Sequence, residues 1–127
     1  MDVDLSALQR IAETAAAEGA AIVARRFGQA GTTPELKGPS GDWVTAVDRE
    51  SESAISATLQ RDTPDIPILA EEGGGERGLR YWTVDPLDGT TNFLLGFPVV
   101  AVSVGLVVEG RPEVAAVRAP LLDPGPR

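Results

Sequence analysis

Trp82-Thr83-Val84-Asp85-Pro86-Leu87-Asp88-Gly89-Thr90-Thr91-Asn92-Phe93 is the stretch that decides the fold. Its first residues, with Tyr81 before them, are aromatic or β-branched and predict a strand. That strand delivers Asp85 into a turn, Pro86-Leu87-Asp88-Gly89, whose proline, aspartate and glycine are favoured turn formers. Hard cations take several oxygen ligands that converge from a rigid turn. Here two carboxylates stand three residues apart with the Leu87 carbonyl between them, a set able to ligate a pair of magnesium ions that share Asp85 as a bridge. A helix opening at Gly89-Thr90-Thr91 would add free N–H groups and a dipole beside the metals, where a phosphate can bind. Taken alone, the segment reads more readily as a β-turn followed by a capped helix.

Its surroundings favour the metal reading. Upstream, Ile66-Pro67-Ile68-Leu69-Ala70 is a short apolar run that predicts a strand ending at Glu71-Glu72, and Gly73-Gly74-Gly75 then forms a turn. Thr45-Ala46-Val47-Asp48 has the spacing of a capping box, so a helix is expected to start there, with Asp48 in its first turn and Ile55 and Leu59 on its apolar face. Three separate acidic sites are thus delivered by the ends of regular elements. Further upstream, Leu5, Leu8, Ala12, Ala15, Val23 and Phe27 form the stripe of an amphipathic helix that Gly28 ends at the C′ position. Residues 28–42, rich in Gly, Pro, Ser and Thr, predict a loop with a short extended piece at Glu35-Leu36-Lys37. Downstream, residues 99–108 are almost continuously apolar, and Glu109-Gly110-Arg111-Pro112 turns the chain into Val114-Ala115-Ala116-Val117, which predicts a buried hairpin. The tail from Asp123 offers no regular structure.

The chain has 127 residues, 43% apolar and 24% charged, the balance of one soluble domain with a core. It contains no cysteine and no histidine. Disulfides, thiolate nucleophiles, serine–histidine triads and histidine bases are therefore excluded, and catalysis must run on carboxylates, hydroxyls and metal. A net charge of −8 disfavours a nucleic-acid partner. The same acidity suits divalent cations, which cancel carboxylates locally and admit a phosphate. No apolar run approaches the roughly 18 to 20 residues that cross a bilayer, so no membrane partner and a cytoplasmic location are expected.

The segment from Trp82 to Phe93 resembles the Trp-x-x-Asp-Pro-x-Asp-Gly-Thr-x-Asn-Phe pattern of the inositol monophosphatase family. Ala70-Glu71-Glu72 resembles that family's Gly-Glu-Glu strand end, with alanine for glycine. Asp42-Trp43-Val44-Thr45-Ala46-Val47-Asp48 resembles its Asp-x-Val-Thr-x-x-Asp segment, and Gly96-Phe97-Pro98 with Ala101-Val102-Ser103 resembles the stretch just beyond its aspartate motif. The four matches occur in order and cover nearly the whole chain.

The resemblance implies an α+β fold of the layered α/β sugar-phosphatase type, shared by inositol monophosphatase and fructose bisphosphatase, with two N-terminal helices on a largely antiparallel sheet. It implies that residues 1–127 are the N-terminal part of one such domain, without the C-terminal half and its Trp-Asp motif. The implied activity is hydrolysis of inositol monophosphate or a related small phosphate by water activated by two or three magnesium ions, with manganese as a substitute. By the same resemblance the metal ligands are Glu71, Asp85, the Leu87 carbonyl and Asp88; Asp48 and Thr90 orient and deprotonate the water; and Asp88, Gly89 and Thr90 meet the substrate. A homodimer is compatible with this reading. The alternatives are a phosphatase of histidinol phosphate, a nucleotide 3′-phosphate or a sugar bisphosphate, and a catalytically incomplete fragment that acts only as a binding module.

Overall fold

The computed structural model describes residues 4–28, 40–69 and 79–122, with residues 40–45 described by their backbone alone. The expected extended piece at Glu35-Leu36-Lys37, the carboxylates Glu71 and Glu72, the Gly73-Gly74-Gly75 turn and the tail from Asp123 lie outside the described residues.

Helix α1 (Leu5–Arg26) starts at Asp4, whose Oδ1 accepts the Ala7 N–H at 3.1 Å. It buries Leu8, Ala12, Ala15, Ala16, Gly19, Ala20, Ile22 and Val23, the stripe expected from their spacing. Gly28, at φ +75°, ends it as a C′ residue. Small side chains dominate the stripe, so a second helix can approach closely. That helix, α2, runs Ser40–Asp62. It begins five residues before Thr45, so Thr45 is no N-cap, and Asp48 lies deep in the helix rather than in its first turn. No proline interrupts 40–62, and the lone Gly41 costs only about 1 kcal/mol. The capping-box pattern therefore coincides with a helix interior. Val47, Ser51, Ile55, Thr58 and Leu59 of α2 are buried. Arg26 and Arg25 hold Glu50 of α2 at 3.0 and 3.4 Å. The Arg26 hydrogen bond, with charge from both arginines, keeps the Glu50 carboxyl below its usual range. What this exposed contact adds to stability is present above the ordinary glutamate range and is lost as pH falls through the lowered value.

The sheet has the order β1-β2-β3-β4: β1 (Ile68–Leu69) is parallel to β2 (Arg80–Asp88), and β3 (Ala101–Val108) and β4 (Arg111–Arg118) are added antiparallel. The hairpin turn is only Glu109 and Gly110, at φ +50° and +81°, the left-handed pair that suits strand twist. Arg111 and Pro112, expected in the turn, belong to β4. Pro112 is tolerated because β4 is an edge strand among the described residues. One sheet face, carrying Trp82, Val102, Val104, Leu106, Val114 and Ala116, is buried against the helices. No described element covers the other face, where Thr83, Ser103 and Gly105 are half-buried and Ala115 and Val117 exposed. The expectation of a buried hairpin is corrected there: alternation along β4 leaves every second residue in solvent.

Trp82 is fully buried, and its Nε1–H donates to Thr63 Oγ1 at 2.9 Å just past the end of α2. At the crossing of the two helices, a Cβ on Gly19 would lie 2.6 Å from Ile55 Cδ1 and 2.8 Å from Ser51 Oγ. Gly19→Ala should therefore lower stability by about 1 to 3 kcal/mol through overpacking, despite the roughly 1 kcal/mol that alanine gains in helix propensity. Urea unfolding of the two proteins measures the difference, and a stabilised variant would contradict the close approach.

Candidate active site

Strand β2 does not end at Val84. It continues through Asp85-Pro86-Leu87-Asp88, still paired with β3. Asp85 pairs with Ser103 and Asp88 with Ala101, so three steps on β2 face two on β3 and the expected turn is a β-bulge. Proline has no N–H to give the ladder, and a bulge is where a paired strand tolerates it. The geometry has a chemical consequence. Side chains three apart on a regular strand face opposite ways. Ser103 and Ala101, two apart, share a face, so the extra residue returns both aspartates to one side of the sheet. That side is opposite the buried Val102 and Val104.

Pro86 and Leu87 are buried, Asp85 is half-buried and Asp88 is exposed. The Leu87 N–H donates to Asp85 Oδ1 at 3.3 Å, and the Pro86 carbonyl accepts the Ser51 hydroxyl at 2.8 Å. Gly89 comes next at φ +90°, and a Cβ there would meet the Val99 carbonyl oxygen at 2.7 Å, so glycine is required twice over. It opens α3 (Thr90–Leu95). Asn92 Nδ2 donates to the Val99 carbonyl at 2.9 Å, and Phe93 is buried with its ring edge-on to Phe27 at 5.8 Å. Asn92 and Phe93 thus seat α3 on the body of the molecule.

The residues expected at the site fall into three groups. Asp85, Leu87, Asp88, Gly89 and Thr90 are brought together by the bulge and the first turn of α3. Asp48 is half-buried on α2, which packs against both β2 and α3. Glu71 lies outside the described residues. Among the described residues no three acidic side chains gather closely enough to hold an ion between them. The donors present are nevertheless all oxygen, two carboxylates and a carbonyl, which is the set a hard cation takes. Magnesium keeps several waters and needs few protein ligands. The residues fit such an ion. Ser51 is absent from the expected set; its signal is a polar residue at the position of α2's apolar stripe between Val47 and Ile55.

The sequence model described as the inositol monophosphatase family matches residues 4–124. The chain belongs to the inositol monophosphatase family. It is 40% identical over 122 residues to an inositol-1-monophosphatase of Mesorhizobium japonicum, covering 93% of this chain and 46% of that protein. It is 47% identical over 85 residues to the protein named Nus factor SuhB of Vibrio cholerae, covering 65% of this chain and 32% of that one. The structure of an inositol monophosphatase from Anabaena superposes with a TM-score of 0.78 at 31% identity, over 95% of this chain and 43% of that one. The chain spans less than half the length of these curated relatives. The expected α+β architecture of the family is present. No helix among the described residues is long and apolar enough to cross a membrane.

Gly96 provides an internal control for Gly89: it is also left-handed, at φ +83°, but a Cβ there meets nothing within 4 Å. Gly96→Ala should cost about 1 to 2 kcal/mol of backbone strain alone. Gly89→Ala should cost more, because strain adds to the clash with the Val99 carbonyl. Chemical denaturation of both variants decides, and equal losses would show that the Val99 contact yields freely.

Proposed function

We propose that this chain forms the metal-binding side of a magnesium-dependent phosphomonoesterase that hydrolyses inositol monophosphate or a related small phosphate. The observation that carries this reading is the bulge, which sets Asp85 and Asp88 on one side of the sheet with the Leu87 carbonyl between them, directly before Gly89 and Thr90. Asp85, Asp88, the Leu87 carbonyl and Glu71 would hold magnesium or manganese, and bound divalent ions supply Lewis-acid charge for the phosphate and make water acidic enough to attack. The chain's own residues do the rest. The Thr90 hydroxyl orients the attacking water, and Asp48 takes its proton through Thr90 as the water oxygen bonds to phosphorus and the ester oxygen leaves with its electron pair. Asp88 and the amides of Gly89 and Thr90 would meet the substrate. Each of these roles is taken from the family resemblance.

The activity proposed is that of a protein of the relatives' length. A second reading is a binding module without turnover. One relative is named a Nus factor, so the expectation of no nucleic-acid partner is not carried forward. Thr90 separates catalysis from architecture. In a full-length protein carrying this segment, phosphate release from inositol monophosphate should survive Thr90→Ser and fall by roughly two orders of magnitude or more in Thr90→Ala. If Thr90 only occupies the exposed first position of α3, whose N-cap is Gly89, its replacement by alanine would change stability by less than about 1 kcal/mol and leave turnover nearly unchanged. Absence of magnesium-dependent phosphate release from the unsubstituted protein would favour the binding-module reading.

A further inference from the structure

Ser51 is fully buried on a helix face that also buries Val47, Ile55, Thr58 and Leu59. A hydroxyl in such a place is costly unless it is hydrogen-bonded. Serines within helices commonly bond back to the carbonyl one turn earlier. This one crosses to another element: its Oγ–H donates to the Pro86 carbonyl at 2.8 Å, inside the β2 bulge. The peptide it grips joins Pro86 to Leu87. Because a peptide is planar, fixing its C=O also fixes the direction of its N–H. That N–H, on Leu87, donates to Asp85 Oδ1 at 3.3 Å. A continuous relay therefore runs from the Ser51 hydroxyl through one rigid peptide to the carboxylate of Asp85. Room for the hydroxyl comes from Gly19 of α1, where a Cβ would stand 2.8 Å from Ser51 Oγ.

We infer that Ser51 is a positioning residue for Asp85, holding the Pro86–Leu87 peptide so that the Asp85 carboxylate keeps one orientation for a divalent cation. The inference rests on the reading of Asp85 as a metal ligand. It also gives α2 a second role. Asp48 lies three residues before Ser51, so one helix carries both the proposed base and the hydroxyl that aims the proposed bridging ligand.

Groups that orient a metal ligand typically change affinity by tenfold or more when removed. The test is manganese binding by the 127-residue chain, measured by calorimetry on the unsubstituted protein, Ser51→Ala and Asp85→Asn, with amide exchange recorded on the same samples without metal. Ser51→Ala should bind manganese about tenfold more weakly and lose protection at the Leu87 amide, while Val104 in the sheet centre stays protected. Unchanged affinity in Ser51→Ala beside a clear loss in Asp85→Asn would overturn the positioning role alone. Unchanged affinity in Asp85→Asn would overturn the metal reading, and this inference with it. Should Ser51→Ala fail to fold, the unsubstituted protein decides: slow exchange at Leu87 supports the relay, and exchange as fast as in an unfolded chain overturns it.

Discussion

Everything in this structure depends on how α2 is fastened to β2. Two hydrogen bonds do it, one from Ser51 to the Pro86 carbonyl and one from the Trp82 indole to Thr63, just past the helix end. The two helix-side anchors are about twelve residues apart, roughly 18 Å along a helix. Two attachments that far apart fix both the rotation and the slide of α2 against the strand, and so fix where Asp48 can be. Each bond is worth only about 1 kcal/mol net, but breaking one leaves a buried polar group unpaired at about 1 to 3 kcal/mol. The cost of misplacing the helix exceeds the gain from placing it.

The same logic explains the bulge. A regular strand would have put Asp85 and Asp88 on opposite faces, one of them in the apolar core with Val102 and Val104. One extra residue returns both to a single side, opposite the buried Val102 and Val104. The proline between them suits that interruption, and Gly89 lets the chain turn beneath the Val99 carbonyl into α3. The proposed metal-binding turn and the strand end are thus one object, held by the sheet on one side and by Ser51 on the other. This is a rigid element of the kind that precise ligand geometry requires.

Much of this is legible in the sequence. The α1 stripe and its Gly28 stop, the strand before Asp85, the helix after Gly89 and the hairpin at Glu109-Gly110 all emerge from spacing and from residue chemistry, and the aspartate motif points to the family. The features that are not legible depend on tertiary context. Thr45 and Asp48 have capping-box spacing inside a helix that simply continues, so spacing alone starts α2 too late. Pro, Asp and Gly favour a free turn and a bulge alike, and only the pairing with Ser103 and Ala101 separates the two. Ser51 has no local signature as an anchor because its partner lies 35 residues away. The apolar character of β3 and β4 suggests burial on both faces, whereas only the face toward α1 and α2 is covered among the described residues. The roles of Asp48, Thr90 and the aspartates come from the resemblance, and Glu71 lies outside the described residues.

The central claim is that a divalent cation binds at the Asp85–Asp88 bulge within reach of α2. Paramagnetic broadening of amide signals by substoichiometric manganese tests it most directly, since the effect falls steeply with distance from the bound ion. The account predicts that the amides of residues 85–90 broaden first and those of 47–51 next, while the hairpin turn at Glu109 and Gly110 stays sharp. Broadening centred on the acidic Asp62 and Asp65, or spread evenly over the surface carboxylates, would contradict it.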